Sequence, residues 1–163
     1  MPVEIKRATV DDHDDLFVAF TRIVSAGDGF PQKPPLTREQ FDDYWIDHSS
    51  AVFVAKFGGH LIGAYYLKPN FVGRASHIAN AGYFVLAPYR GTGAGRTMVE
   101  HSLRQARHLG FDALQFNLVF ESNPARAMYT RLGFLEIGRI PDAVDGEDAL
   151  IYWRSLQDVE TGE

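Results

Sequence analysis

An arginine followed by three glycines within five residues, Arg90 and then Gly91, Gly93 and Gly95, could hold an anion. The run stands in VLAPYRGTGAGRTMVEHSL, between an apolar segment and an amphipathic one, and so reads as a strand-to-helix turn. A turn of the form RxxGxG sets consecutive backbone N–H groups at a helix start. There the helix dipole adds to them, and a phosphate or pyrophosphate fits. A Cβ at Gly93 or Gly95 would keep such an anion off the backbone. Two nucleotide-binding patterns fail on the residues themselves: GxGxxG needs a third glycine where Arg96 stands, and the P-loop needs Lys-Ser or Lys-Thr after the glycines.

Asn80 in HIANAG and Asn117 in QFNLV sit inside apolar, strand-like segments. Asn is depleted in strands, and a buried amide without a partner costs about 1–3 kcal/mol. One such Asn reads as a satisfied core amide; two on neighbouring strands leave a functional role open beside it. An amide is no base near neutral pH, so that role would be to hold a substrate and order a water. Tyr129 lies four residues before Gly133 on a short helix, where it either packs or carries a proton. His77 and Glu121 read as surface residues rather than bases. No His or carboxylate cluster has metal-ligand spacing, so no metal is expected. The chain has no cysteine, which excludes a thiolate site and a Cys nucleophile.

These residues need elements to position them. VEIKRAT reads as a first strand. A helix follows, with Asp11 or Asp12 as its cap and Leu16, Phe17, Phe20, Ile23 and Val24 at helical spacing, ending at Gly27 and Gly29. FPQKPPL cannot continue a helix, and TREQFDDYW restarts one with Thr37 as cap. AVFVAKFGGHLIGAYYLKP reads as a hairpin turning at Gly58 and Gly59. SHIANAGYFVL is the next strand, followed by the glycine turn and a helix over Gly95 to Leu109. ALQFNLV, with Leu114, Phe116 and Leu118 alternating, is a half-buried strand. PARAMYTRLGF gives a short helix stopped at Gly133, and LEIGRI and ALIYWRSL close the chain. The order is βααβββαβαββ. It predicts an α/β (α+β) fold with a mixed, mostly antiparallel central sheet flanked by helices, in one domain over 1–163 with a frayed tail from about 157.

A length of 163 residues suits one core. A net charge of −5 argues against nucleic acid and for a small-molecule partner. The N-terminal stretch does not read as a signal peptide, and no apolar run nears the roughly 18 residues of a membrane span. A cytoplasmic protein that binds no membrane is expected. Self-association as a homodimer stays open.

VLAPYRGTGAGR followed by FNLVFESNPARAMYTRLGF resembles the Gcn5-related N-acetyltransferase (GNAT) superfamily. The likeness runs from the first strand to YWRSL. It rests on the RxxGxG turn, the helix end ARHLG at Ala106 to Gly110, and Tyr129 with Leu132, Gly133 and Phe134. The resemblance implies acetyl-CoA as cosubstrate. Backbone N–H groups over Gly91, Thr92, Gly93, Ala94, Gly95 and Arg96 would cradle its pyrophosphate, and the strand end at Phe84 and Val85 would hydrogen-bond its pantetheine. Arg90 would reach a phosphate. The family usually places a pantetheine-contacting Asn seven residues before the Tyr position. Ser122 stands there, and Asn123, one residue on, is taken as that contact. Tyr129 matches the family's proton donor to the departing thiolate.

SHIANAGYFV, FNLV and IGRIPDA are similar to the branch that holds the fungal proline-analogue acetyltransferases, which acylate the ring nitrogen of azetidine-2-carboxylate, and their bacterial relatives. Asn80 and Asn117 match the substrate-contacting asparagines of those enzymes. The expected activity is N-acetylation of a small-molecule amine by direct attack in a ternary complex. A protein or peptide acetyltransferase and a non-catalytic CoA-binding module are the alternatives. Phe30, Pro31, Pro34, Pro35, Tyr44 and Trp45 are expected to close a lid over a small acceptor, which favours the first reading.

Overall fold

The computed structural model describes residues 2–161. Its elements follow the expected order: β1 (Glu4–Arg7), α1 (His13–Ala26), α2 (Arg38–Phe41), β2 (Ala51–Phe57), β3 (His60–Pro69), β4 (Ile78–Val85), α3 (Ala94–His108), β5 (Ala113–Phe120), α4 (Arg126–Arg131), β6 (Leu135–Val144) and β7 (Glu147–Ser155). The strands form one seven-stranded sheet in the order β1-β2-β3-β4-β5-β7-β6. The β1–β2, β2–β3, β5–β7 and β6–β7 ladders are antiparallel and β4–β5 is parallel, so the sheet is mixed. The described residues group into two compact units: one runs to Lys68 and includes Gly82–Ser102, and the other comprises Pro69–Ala81 and the chain from Leu103.

The first unit is built on the apolar stripe of α1. Leu16, Phe20, Ile23 and Val24 are buried against Phe41, Trp45, Val54 and Phe84. Thr37 caps α2 as expected, its Oγ accepting from the N–H of Gln40 at 3.1 Å while Gln40 Oε1 accepts from Thr37 N–H at 2.9 Å. The helix then widens into a π-turn over Asp42–Asp47. The expected lid is corrected here. Phe30 and Trp45 pack edge-on against Phe20, at ring-centroid distances of 4.9 Å and 5.3 Å, and are core residues. Pro31, Pro34 and Pro35 are exposed. Burying two large rings outweighs leaving them over a groove.

Asp12 is corrected too. It makes no side-chain cap to α1, because a 3-10 turn over Val10–Asp12 precedes the helix. Its carboxylate accepts from Thr9 N–H at 2.9 Å and from Lys56 Nζ at 3.0 Å. Burial pushes the carboxyl up, but the Thr9 and Lys56 hydrogen bonds and the lysine charge outweigh it and hold the group below the usual carboxylate value. A depressed folded pKa stabilises the fold above the unfolded value near 4, and that stability is lost as pH falls through the folded value. Asp12→Asn is expected to cost about 1–3 kcal/mol at pH 7. In denaturant unfolding, the gap from the wild type should narrow as pH drops below about 4.

In the second unit β5 pairs with β7. Its register shifts between Phe116, opposite Tyr152, and Val119, opposite Leu150. Two residues of β5, Asn117 and Leu118, thus stand against one of β7, Ile151, a β-bulge, and the expected alternation stops there. Val119 is buried where Leu118 was expected, and Leu118 is half-buried. β6 and β7 run past the expected LEIGRI and ALIYWRSL and meet at a tight turn with Asp145 and Gly146 at φ of 48° and 83°. Beyond β7, Gln157 N–H donates to Ser155 Oγ and Val159 N–H to Leu156 O, and Asp158 pairs with Arg154.

Candidate active site

The glycine turn lies in the first unit. After β4 the chain makes a 3-10 turn over Ala87–Tyr89, passes Arg90 in extended conformation, and takes Gly91 and Gly93 at φ of 75° and 89° before α3 begins at Ala94. Tyr89 N–H and Arg90 N–H are bonded within the 3-10 turn, and Thr97 N–H starts the helical ladder on Gly93 O. Between them, the N–H groups of Gly91, Thr92, Gly93, Ala94, Gly95 and Arg96 donate to no described residue. Six successive backbone donors without a described acceptor thus stand at a helix N-terminus, the arrangement that the residue spacing implies. An added Cβ at Gly93 or Gly91 would meet nothing within 4 Å, and one at Gly95 would reach only Val85 Cγ2, at 3.8 Å.

The side chains around the cradle differ from expectation. Arg90 does not stand free for a phosphate: its Nε donates to Val85 O at 3.0 Å and its guanidinium pairs with Asp28 at 3.1 Å. Arg96 pairs with Glu100 one turn along α3, at 2.7 Å. Arg90 ties the strand end to the α1–α2 loop. Phe84 is buried in the aromatic core, which takes its side chain out of reach of a ligand.

Asn80, Asn117 and Tyr129 lie in the second unit. Asn80 on β4 is opposite Gln115 on β5, and its Nδ2 donates to Gln115 O at 3.1 Å. Asn117 stands in the β5 bulge, and its residue is exposed rather than enclosed among apolar side chains as its sequence context implied. Gln115 Nε2 donates to Asn117 Oδ1 at 3.0 Å, and Asn117 Nδ2 donates to Asn70 Oδ1 at 2.5 Å. Asn80, Gln115 and Asn117 share one face of the strand pair, with Asn70 joined to them. Gln115 and Asn70 were not foreseen. Gln115 alternates with Phe116 as any half-exposed strand residue does, and Asn70 follows a proline in what reads as a loop.

Tyr129 on α4 is packed against Phe116, Phe134 and Tyr152, with ring centroids at 4.9, 5.9 and 5.8 Å. Burial, with a smaller contribution from Tyr152, pushes its hydroxyl up to about 12. The phenol thus keeps its proton throughout the neutral range. Asn123 shapes the start of the same helix, its Oδ1 accepting from Ala125 N–H at 2.8 Å. His77 is exposed, and Glu121 pairs with Arg139 at 3.2 Å.

A further feature of the first unit had no sequence signal. Lys68 Nζ donates to Tyr44 O at 3.0 Å and lies 4.2 and 4.3 Å from the ring centroids of Tyr44 and Tyr66. Burial lowers its pKa, opposed by the charge of Asp43.

Residues 13–134 match the model of the acetyltransferase (GNAT) family. N-acetyltransferase aca1 of Schizosaccharomyces pombe is 29% identical over 159 residues, covering 85% of this chain and 76% of aca1. A GCN5-related N-acetyltransferase from Kribbella flavida has a structure similar to this one, with TM-score 0.86 and 31% identity, covering 94% of this chain and 97% of that one. The yncA structure from Salmonella typhimurium, solved with its cofactor acetyl-CoA, shares the fold at TM-score 0.83 and 14% identity over 98% of both chains. No described helix is long and apolar enough to cross a membrane.

Proposed function

The chain belongs to the acetyltransferase (GNAT) family, and from that premise we propose that it is an N-acetyltransferase that uses acetyl-CoA to acetylate a small-molecule amine, cyclic and other amino acids among them. The observation that carries the cofactor reading is the run of unpaired N–H groups from Gly91 to Arg96 at the start of α3. Those groups bind the pyrophosphate, the end of β4 at Phe84 and Val85 lines the pantetheine arm, and Asn123 contacts it. The bound cosubstrate supplies an activated thioester. This chain contains no cysteine, so the amine attacks directly in a ternary complex and not through an acetyl-Cys. Tyr129 keeps its proton and donates a hydrogen bond as the thiolate departs. Asn80 and Asn117 hold the polar groups of the acceptor.

Support for a small acceptor comes from the carboxamides and from the likeness to the proline-analogue enzymes, since Phe30 and Trp45, expected in a lid, are core. Replacing either Asn80 or Asn117 with Ala leaves a substrate polar group unpaired, a loss of about 1–3 kcal/mol. Each variant is expected to lower kcat/KM for a carboxylate-bearing secondary amine about tenfold or more, with acetyl-CoA affinity and Tm nearly unchanged. Steady-state kinetics with thermal melts check this. A large drop in Tm with little kinetic effect would make both amides structural.

A further inference from the structure

Leu135, Ile137 and Ile140 are 59, 54 and 39% exposed, and all three stand on one strand. That strand, β6, is ten residues long and is the last in the sheet. An edge strand carries a row of free N–H and C=O groups, which proteins that stay single blunt with lysine, proline or short length. Residues 135–140 hold neither lysine nor proline, and Pro141 follows them. Their two charges, Glu136 and Arg139, are of opposite sign.

The register against β7 sets the faces. Leu135, Gly138 and Ile140 lie opposite Trp153, Ile151 and Ala149 and share one face, while Glu136 and Arg139 lie opposite Tyr152 and Leu150 and share the other. A second β6 laid antiparallel to the first, about a two-fold axis between Ile137 and Gly138, puts Leu135 opposite the partner's Ile140 and Glu136 opposite the partner's Arg139. Each pair lies on one face and occurs twice. The block thus matches itself in apolar contact and in charge, as a two-fold interface requires. A slip of one residue either way would set Leu135 against arginine or Ile140 against glutamate. Within the chain Glu136 meets Arg126 only at 3.4 Å. Asp148 and Glu121 both take Arg139 Nη1, at 2.9 and 3.2 Å, which leaves Nη2 for a further carboxylate.

We propose that β6 is a homodimer interface, in which two copies of this chain pair antiparallel through residues 135–140. The partner is a second copy because the pattern complements itself. The inference goes beyond the acetyltransferase reading and does not depend on it.

Sedimentation equilibrium tests it. The wild type should dimerise in the micromolar range. Leu135→Glu and Ile140→Lys each set a charge against an apolar residue at two symmetric contacts, and each should weaken the dimer about tenfold or more. Both sites are exposed, so the fold should hold, and circular dichroism confirms it. Both substitutions in one chain, or the two single variants mixed, bring glutamate against lysine and should restore the dimer. A wild type that stays monomeric throughout the micromolar range, or a dimer that neither single substitution weakens, would overturn the inference. Single variants that dissociate and a combination that does not reassociate would overturn it too, since this register is what joins positions 135 and 140.

Discussion

Tyr129→Phe is expected to lower kcat by about 10²–10³-fold, the loss seen when one donor to a developing anion is removed, with KM for both substrates little changed. The ring contacts with Phe116, Phe134 and Tyr152 survive the substitution, so Tm should hold. The phenol at about 12 lies well above an ordinary thiol near 8.5, so complete proton transfer to the thiolate is uphill by roughly 5 kcal/mol. In the proposed reaction Tyr129 would act by a donated hydrogen bond, strongest in the transition state, and the departed thiolate would take its proton from solvent afterwards. Because the group titrates near 12, it should put no limb on the kcat profile between pH 6 and 10. Single-turnover kinetics that isolate the chemical step are the check. An unchanged chemical rate would leave Tyr129 as a packing residue.

Gly95→Ala should weaken acetyl-CoA binding by about 10- to 100-fold, the equivalent of losing one or two charge-assisted hydrogen bonds. The fold should tolerate the change, since the new Cβ would meet only Val85 Cγ2 at 3.8 Å. Ala in a helix is preferred over Gly by about 0.5–1 kcal/mol, so Tm should stay or rise. Gly93→Val is expected to abolish binding, but it mixes two causes. Gly93 sits at φ 89°, where a side chain strains the backbone by about 1–3 kcal/mol even without a ligand. Gly95 separates the approach of the cofactor from the shape of the turn. Calorimetric titration of the folded variants measures both, and undiminished affinity in Gly95→Ala would remove the pyrophosphate from the turn.

The order of elements and the glycine turn were legible because each rests on local signals. Apolar spacing marks α1 and α3, Gly58–Gly59 marks the hairpin, and Arg90 with three glycines marks the junction. What was not legible depends on pairing between distant residues. The bulge in β5 arises from its register against β7, so nothing near Asn117 announces that this residue is exposed. Phe30 stands in a proline-rich stretch that reads as a loop and Trp45 at the end of a helix rich in acids, and only the position of Phe20 shows that they are core. Asp12 has the type and place of a helix cap, but Lys56, 44 residues away, claims its carboxylate. Asn70 has meaning only beside Asn117.

Acetyl transfer by the wild-type enzyme is the most direct measurement of the account. Acetyl-CoA is offered with a panel of cyclic secondary amino acids, primary amino acids, polyamines and peptides, and release of free CoA thiol is followed together with the acetylated product. The account predicts turnover that depends on acetyl-CoA and is fastest with a carboxylate-bearing small amine, with thiol and N-acetyl product formed in equal amounts. Tight acetyl-CoA binding with no product from any amine, or product from peptides alone, would contradict it.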